Sequence, residues 1–479
     1  MQTVETESRP FGGWRELIQI AWPLIINSGT FAVLNFCDRL FLSWYGEAEF
    51  RASLPAGILF FTLVCGFMAL AGFSNTFVAQ FWGAGDKEGC ARATAQGILF
   101  SLISFPLIMM LMPVGLWMLR LGGHGAEVLA LEEEYFRILM WCGGGIVLSS
   151  AISSFFSGRS RTFVIMGCNI FANGLNILLN YLFVFGKGGF PEMGIAGAGW
   201  ATVIGSWASP LIFALLYFSK PVNAEFRTIK NLRYDPWLFK RMIRFGLPSG
   251  IHLFLDVAAF TVFVMLVGRM GAVAHIASNI ALSVNLIAFM PMIGMGMAAS
   301  ILVGQYLGRN QPEHAGRMGW LALKIGIGYV LAIGATFLLF PEFYINVFEG
   351  DSVGTVPFAE LFRAVRILLA MLAIWGAADA TAIILGGALK GAGDTHFVMY
   401  FQSAVAWGFL VLGQLVLVLV FKCDFYMSWT WTLLYIGILC VGFALRFRSG
   451  RWKSIDLLDR RVPLAADTAR DAQPGLELP

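Results

Sequence analysis

The sequence predicts an all-α integral membrane protein with twelve transmembrane helices in two pseudo-symmetric six-helix bundles. Three observations carry that prediction. Of 479 residues, 58% are hydrophobic and 13% charged, with a mean hydropathy of +0.73. A soluble domain carries roughly 25% charged residues, so this chain cannot clothe a water-soluble particle. Apolar runs long enough to cross a bilayer, about 20 residues each, recur from end to end. The chain also repeats its own pattern halfway along.

Taken in order, the first run covers 16–44 and, past Glu16 at its start, is charged only at Asp38 and Arg39. Runs at 54–82 and 93–119 flank the polar loop GAGDKEG. The fourth, 131–157, opens on Glu132, Glu133 and Glu134 and closes at Arg159 and Arg161. The fifth and sixth, 163–186 and 194–218, complete the first half. The second half reads 242–268, 277–305, 318–341, 361–387, 396–420 and 427–446. The predicted organisation is therefore a cytoplasmic N-terminal segment (1–15), an N-terminal bundle (16–218), a cytoplasmic linker (219–241), a C-terminal bundle (242–447) and a polar tail (448–479). The tail is expected to be disordered, and the first span is expected to direct insertion itself, without a cleaved signal.

Charge orients these spans. The loop between the sixth and seventh spans carries Lys220, Arg227, Lys230, Arg233, Lys240, Arg241 and Arg244 against Glu225 and Asp235, and the end of the chain carries Arg446, Arg448, Arg451 and Lys453. The acidic positions Glu132–Glu134, Glu342, Glu349 and Asp351 fall on the other side. Basic loops stay in the cytoplasm, which places both termini there. The net charge of +4 is too small to point to nucleic acid. The seven cysteines are scattered without metal-ligand spacing and read as small packing residues.

The repeat is visible in polar and glycine positions. Residues 78–92 read VAQFWGAGDKEGCAR and residues 303–317 read VGQYLGRNQPEHAGR. Val78/Val303, Gln80/Gln305, Gly83/Gly308, Glu88/Glu313 and Arg92/Arg317 match at one spacing, and Pro23/Pro248 keep it. Gly158 and Thr162 match Gly391 and Thr395. Six spans per half is an even number, so both halves enter from the same side. They are then related by a pseudo-two-fold axis along the membrane normal, with a substrate cavity between them.

The candidate functional residues are those that lipid should reject. Asp38, Asp256 and Asp379 each lie inside an apolar span. A carboxylate at the bilayer centre costs at least ~2.5–3.5 kcal/mol, so such groups mark ion or substrate pathways. Asn35 stands three residues before Asp38 on the same face, and the fifth span offers Asn173, Asn176 and Asn180. Asn176 and Asn180 share one helical face, and Thr202 adds a hydroxyl from the sixth span. These groups suit a proton, a sodium ion or an organic cation; the amides serve equally as interhelical hydrogen-bond partners. In the second half, Asp256 and Asp379 suit a hard cation such as Na+, or can share one proton. His252 precedes Asp256 by four residues and is placed to tune it or to relay a proton. The internal offset pairs Asp38 with Phe263 and Asp256 with Phe31, so the halves share a fold but not their acids. No nucleophile or metal constellation for an enzyme is evident, and no cofactor is expected beyond a coupling ion, Na+ or H+.

The chain resembles the multidrug and toxic compound extrusion (MATE) transporters of the flippase-like exporter superfamily over residues 10–447. The resemblance rests on the Pro23 and Asp38 pattern, the VAQFWGAGD and VGQYLGRNQ loops, MGIAGAGWAT (193–202), RFGLPSG (244–250), ASNIAL (277–282) and ADATAIILGGALKGAGDT (378–395). It implies two bundles forming a V that opens alternately to each side, exporting drugs and lipophilic organic cations against sodium or proton entry. Asp38 matches the first-bundle acid; Asp256 and Asp379 match the second-bundle acids of the NorM-like branch. That branch usually has Glu where Asp256 stands and tends to have Tyr where Trp375 stands. The other prokaryotic branch has a second acid near Asn180, which is an amide here. A monomer in a bacterial inner membrane is the expectation. A lipid-linked oligosaccharide flippase of the same superfamily is the rival, but its cavity should be basic.

Overall fold

A computed structural model describes residues 13–346 and 358–459, and the acidic positions Glu349 and Asp351 and the tail beyond Asp459 lie outside them. Among the described residues, twelve helices are long and apolar enough to span a bilayer. They run Trp14–Tyr45, Glu47–Gly83, Lys87–Met110, Ala126–Ser157, Thr162–Val184 and Gly194–Tyr217 in the first half. In the second they run Pro236–Gly268, Ala272–Gly308, Pro312–Leu339, Ala359–Gly391, Thr395–Val420 and Phe425–Arg448. All twelve predicted spans are present.

Two details differ from the sequence expectation, and the linker adds a third element. The third span stops at Met110, and a separate short helix, Met112–Leu121, follows. Pro113 lies at its second position, where the missing N–H costs nothing in the new helix but cannot continue the old one. Within the linker, Lys220–Phe226 is helical, ending at Arg227 with φ 52°. The tail is ordered as far as Asp459. Arg241 grips it through the carbonyls of Leu457 (3.0 Å) and Asp456 and the Asp459 carboxylate (2.9 Å), and Leu457 is buried.

This ordered tail is the second half's counterpart of the linker. Glu88 pairs with Arg227 of the linker at 2.9 Å, and its repeat partner Glu313 pairs with Lys453 of the tail at 2.8 Å. Phe226 and Trp452 are the buried anchors of the two segments. The pseudo-symmetry therefore extends past the last span of each half.

The halves meet through the repeat motif itself. A Cβ on Gly83 would stand 2.0 Å from the Gln305 carbonyl oxygen, and a Cβ on Gly308 would stand 2.3 Å from that of Gln80. Gly83/Gly308 and Gln80/Gln305 are repeat partners, so this is a self-complementary contact across the pseudo-axis. Only glycine permits such backbone approach. Side chains complete it: the Gln305 amide donates to the Gly158 carbonyl (2.7 Å) and the Ser160 hydroxyl (2.9 Å). The Gln80 amide donates to the Gly391 carbonyl (3.3 Å). Gly158 and Gly391 are also repeat partners. Arg159, in the loop that Gln305 holds, lies 3.9 Å from the Phe155 ring and 4.3 Å from the Phe226 ring; burial there lowers its guanidinium to about 10.

Farther in, Gly66 packs on Gly250 and Gly294 on Ile25. These close approaches form a belt on the side of the basic loops. The first span changes partners along its length. Leu17, Ile20, Ala21 and Leu24 belong to the apolar core of the second half, whereas Leu42 belongs to that of the first.

Candidate functional site

All three aspartates lie past this belt, toward the other end of their helices, and each is only partly buried. They fall into two sets, one in each half.

In the first half, the fifth span presents a column of amides to the first. Asn169 donates to Asn27 at 2.7 Å, Asn173 to Thr30 at 3.3 Å, and Asn180 to Asp38 Oδ1 at 2.5 Å. The spacing of three or four residues along one helix produces this column. Asn169 also accepts from Ser209 at 2.9 Å, tying in the sixth span. Asn176 and Asn180 are almost fully buried, and the Oδ1 atom of each has no hydrogen-bond partner. Gly205 lets the sixth span close on this point; a Cβ there would be 2.8 Å from Asn176 Cβ. Two orphaned amide oxygens next to a carboxylate are an acceptor-rich nest, and buried acceptors call for a donor or a cation.

Two expected members are placed differently. The Asn35 amide donates to the Phe31 carbonyl of its own helix, on an exposed face. The Thr202 hydroxyl is turned back to the Ala198 carbonyl at 2.9 Å. Asn173 is engaged by Thr30. The fold brings the Asn180 amide to the carboxylate and leaves Asn176 one turn away on the same helix.

In the second half, Asp256 Oδ1 accepts from the Gln402 amide of the eleventh span at 2.8 Å. Asp379, three turns from the end of the tenth span, interacts electrostatically with Asp256. Tyr435 of the twelfth span lies within electrostatic reach of both. His252 is buried one turn before Asp256, and its Nδ1 is 3.4 Å from Lys390 Nζ.

Lys390, Gln402 and Tyr435 were not anticipated. The predicted tenth span ended at residue 387, which left Lys390 in a loop; the helix continues to Gly391 and carries it inside. Gln402 carried a signal, being one of two amides, with Gln414, in an apolar run. Tyr435 supplies a phenol within electrostatic reach of the acids.

The MatE family profile matches residues 23–182 and 248–413, one block in each half. The chain belongs to the MatE family. It is a membrane transporter, not an enzyme. A MatE relative from Bradyrhizobium diazoefficiens, called probable multidrug resistance protein NorM, is 28% identical over 468 residues, covering 94% of this chain and 98% of that one. A Thermotoga maritima protein of the same name is 24% identical over 451 residues, covering 93% and 94%. The fold matches an outward-facing MATE family transporter of the MOP superfamily with a TM-score of 0.81, at 20% identity, over 91% of this chain and 96% of that one. The twin MatE blocks begin at Pro23 and Pro248, the pair that marks the internal repeat.

Proposed function

We propose that this transporter is a secondary active antiporter that exports lipophilic organic cations, drugs among them, in exchange for Na+ or H+ by alternating access. The observation that carries the reading is the pair of orphaned oxygens, Asn176 Oδ1 and Asn180 Oδ1, beside the partly exposed Asp38. A hard cation takes oxygen ligands, and a proton on Asp38 would supply the missing donor. The multidrug resistance names of the relatives agree with this reading.

The basic loops lie at the cytoplasmic face on the positive-inside rule, with both termini there, in a bacterial inner membrane. The glycine belt then closes the cytoplasmic side, and the acids face outward. The bundles, 16–218 and 242–447, rock about the pseudo-axis as a monomer. Coupling ions enter from outside to Asp38 and to the Asp256–Asp379 pair. Once they leave inward, the uncompensated carboxylates attract a cationic drug. A carboxylate cannot serve drug and ion fully at once, so exchange follows. The flippase alternative gains one base, Lys390, but acids still outnumber bases in the second set.

The test is efflux of ethidium from proteoliposomes under separately imposed sodium and proton gradients. Asp38→Asn and Asp379→Asn are expected to fold and insert but to lose coupled efflux. Wild-type rates in either variant would refute the assignment of the acids. Efflux without either gradient would refute antiport.

A further inference from the structure

Lys390 occupies the last turn of the tenth span, where a lysine is costly unless it is used. A helical side chain leans toward the N-terminus of its helix. This one therefore reaches inward from the belt toward Asp256, not outward to the loop. An ammonium has only donors, so at 3.4 Å it donates to His252 Nδ1. The imidazole then offers its lone pair there, carries its proton on Nε2, and is uncharged. The ammonium also interacts electrostatically with Asp256, as Asp256 does with Asp379.

We infer that Lys390 is a resident counter-cation that sets the second-half ion site to accept one monovalent cation. The charges decide this. Two carboxylates contribute −2, Lys390 +1 and His252 zero, leaving −1. One Na+ neutralises the set; a divalent ion would leave excess positive charge in a low-dielectric region. Without the lysine the set would carry −2 and would suit a divalent ion.

The comparison between halves supports this. The first set has one acid, Asp38, and the match of Gly158 with Gly391 places Ser157 at the position of Lys390. One acid without a lysine and two acids with one give the same net charge. The halves differ in residues, yet with the carboxylates ionised the named acids and Lys390 sum to the same charge in each set. Lys390 thus acts as a specificity residue within the proposed antiport cycle, and the inference rests on that reading.

The test uses the purified full chain in nanodiscs, with Asp38→Asn so that only the second set reports. The probes are radioactive Na+ and Ca2+ at equilibrium. Lys390→Met is expected to lower the Na+ half-saturation concentration about tenfold or more, from loss of a nearby like charge. It is also expected to create saturable Ca2+ binding that competes with Na+. Lys390→Arg, which keeps the charge, should retain the parent selectivity. A merely structural lysine would not change ion valency. Unchanged Na+ half-saturation with Ca2+ still excluded in Lys390→Met overturns the inference; Lys390→Gln is read the same way if the methionine variant does not fold. Absence of Na+ binding in the parent also overturns it. Ethidium efflux by the wild-type chain under an imposed gradient then shows separately whether antiport stands.

Discussion

Replacing Gln305 by leucine should open the belt. Its amide makes two crossing hydrogen bonds, to the Gly158 carbonyl at 2.7 Å and the Ser160 hydroxyl at 2.9 Å, and the side chain is 3% exposed. Leucine fills similar space but donates nothing. Each hydrogen bond contributes about 0.5–1.5 kcal/mol net, so the closed state loses about 1–3 kcal/mol relative to the state in which the halves part there. That shifts the equilibrium between them by about 5- to 150-fold. Gln80 makes one long bond, 3.3 Å to the Gly391 carbonyl, and Gln80→Leu should act in the same direction but more weakly. The measurement is the distance between spin labels at Lys230 and Arg451, exposed positions on the linker and the tail. The seven native cysteines would be replaced first. A longer-distance population should grow in Gln305→Leu and grow further in the double variant. Distance distributions identical to the parent in both single variants would refute the reasoning, because the crossing bonds would then contribute nothing to closure.

Two further outcomes follow from packing. A Cβ on Gly387 would sit 2.4 Å from the Gly296 carbonyl oxygen, so Gly387→Ala should force the eighth and tenth spans apart at about 1–3 kcal/mol, seen as a lower Tm in detergent; an unchanged Tm would refute the contact. Arg241→Ala removes the hydrogen bonds that hold residues 456–459, and charged hydrogen bonds contribute about 1.5–3 kcal/mol each. Amide hydrogen exchange in residues 451–459 should accelerate while that of the spans is unchanged; equal protection in both proteins would show that the tail is held by other contacts.

The fold was legible because its determinants are long-range only in space, not in pattern. A spanning helix announces itself within its own twenty residues. The repeat of Gln80 and Gln305 is readable because the same contact must be made from each side of a pseudo-axis. A self-complementary crossing requires the same residues twice, and Gly83 and Gly308 show why they cannot vary in size. The ion sets are less legible because nothing forces them to be symmetric. Asp38 and Asp256 were evident as charges in apolar runs, but the partner of each comes from another helix: Asn180 for Asp38, and Gln402 for Asp256. Lys390 was missed for a more particular reason. A lysine near a helix end ordinarily runs out to water, and only the direction of its helix decides between out and in. The tenth span runs toward the belt, so the inward lean of its last side chains points Lys390 at His252. Symmetry therefore governs where the halves touch, and charge balance governs what they hold. A sequence displays the first as repetition, whereas the second appears only once the direction of each helix is known.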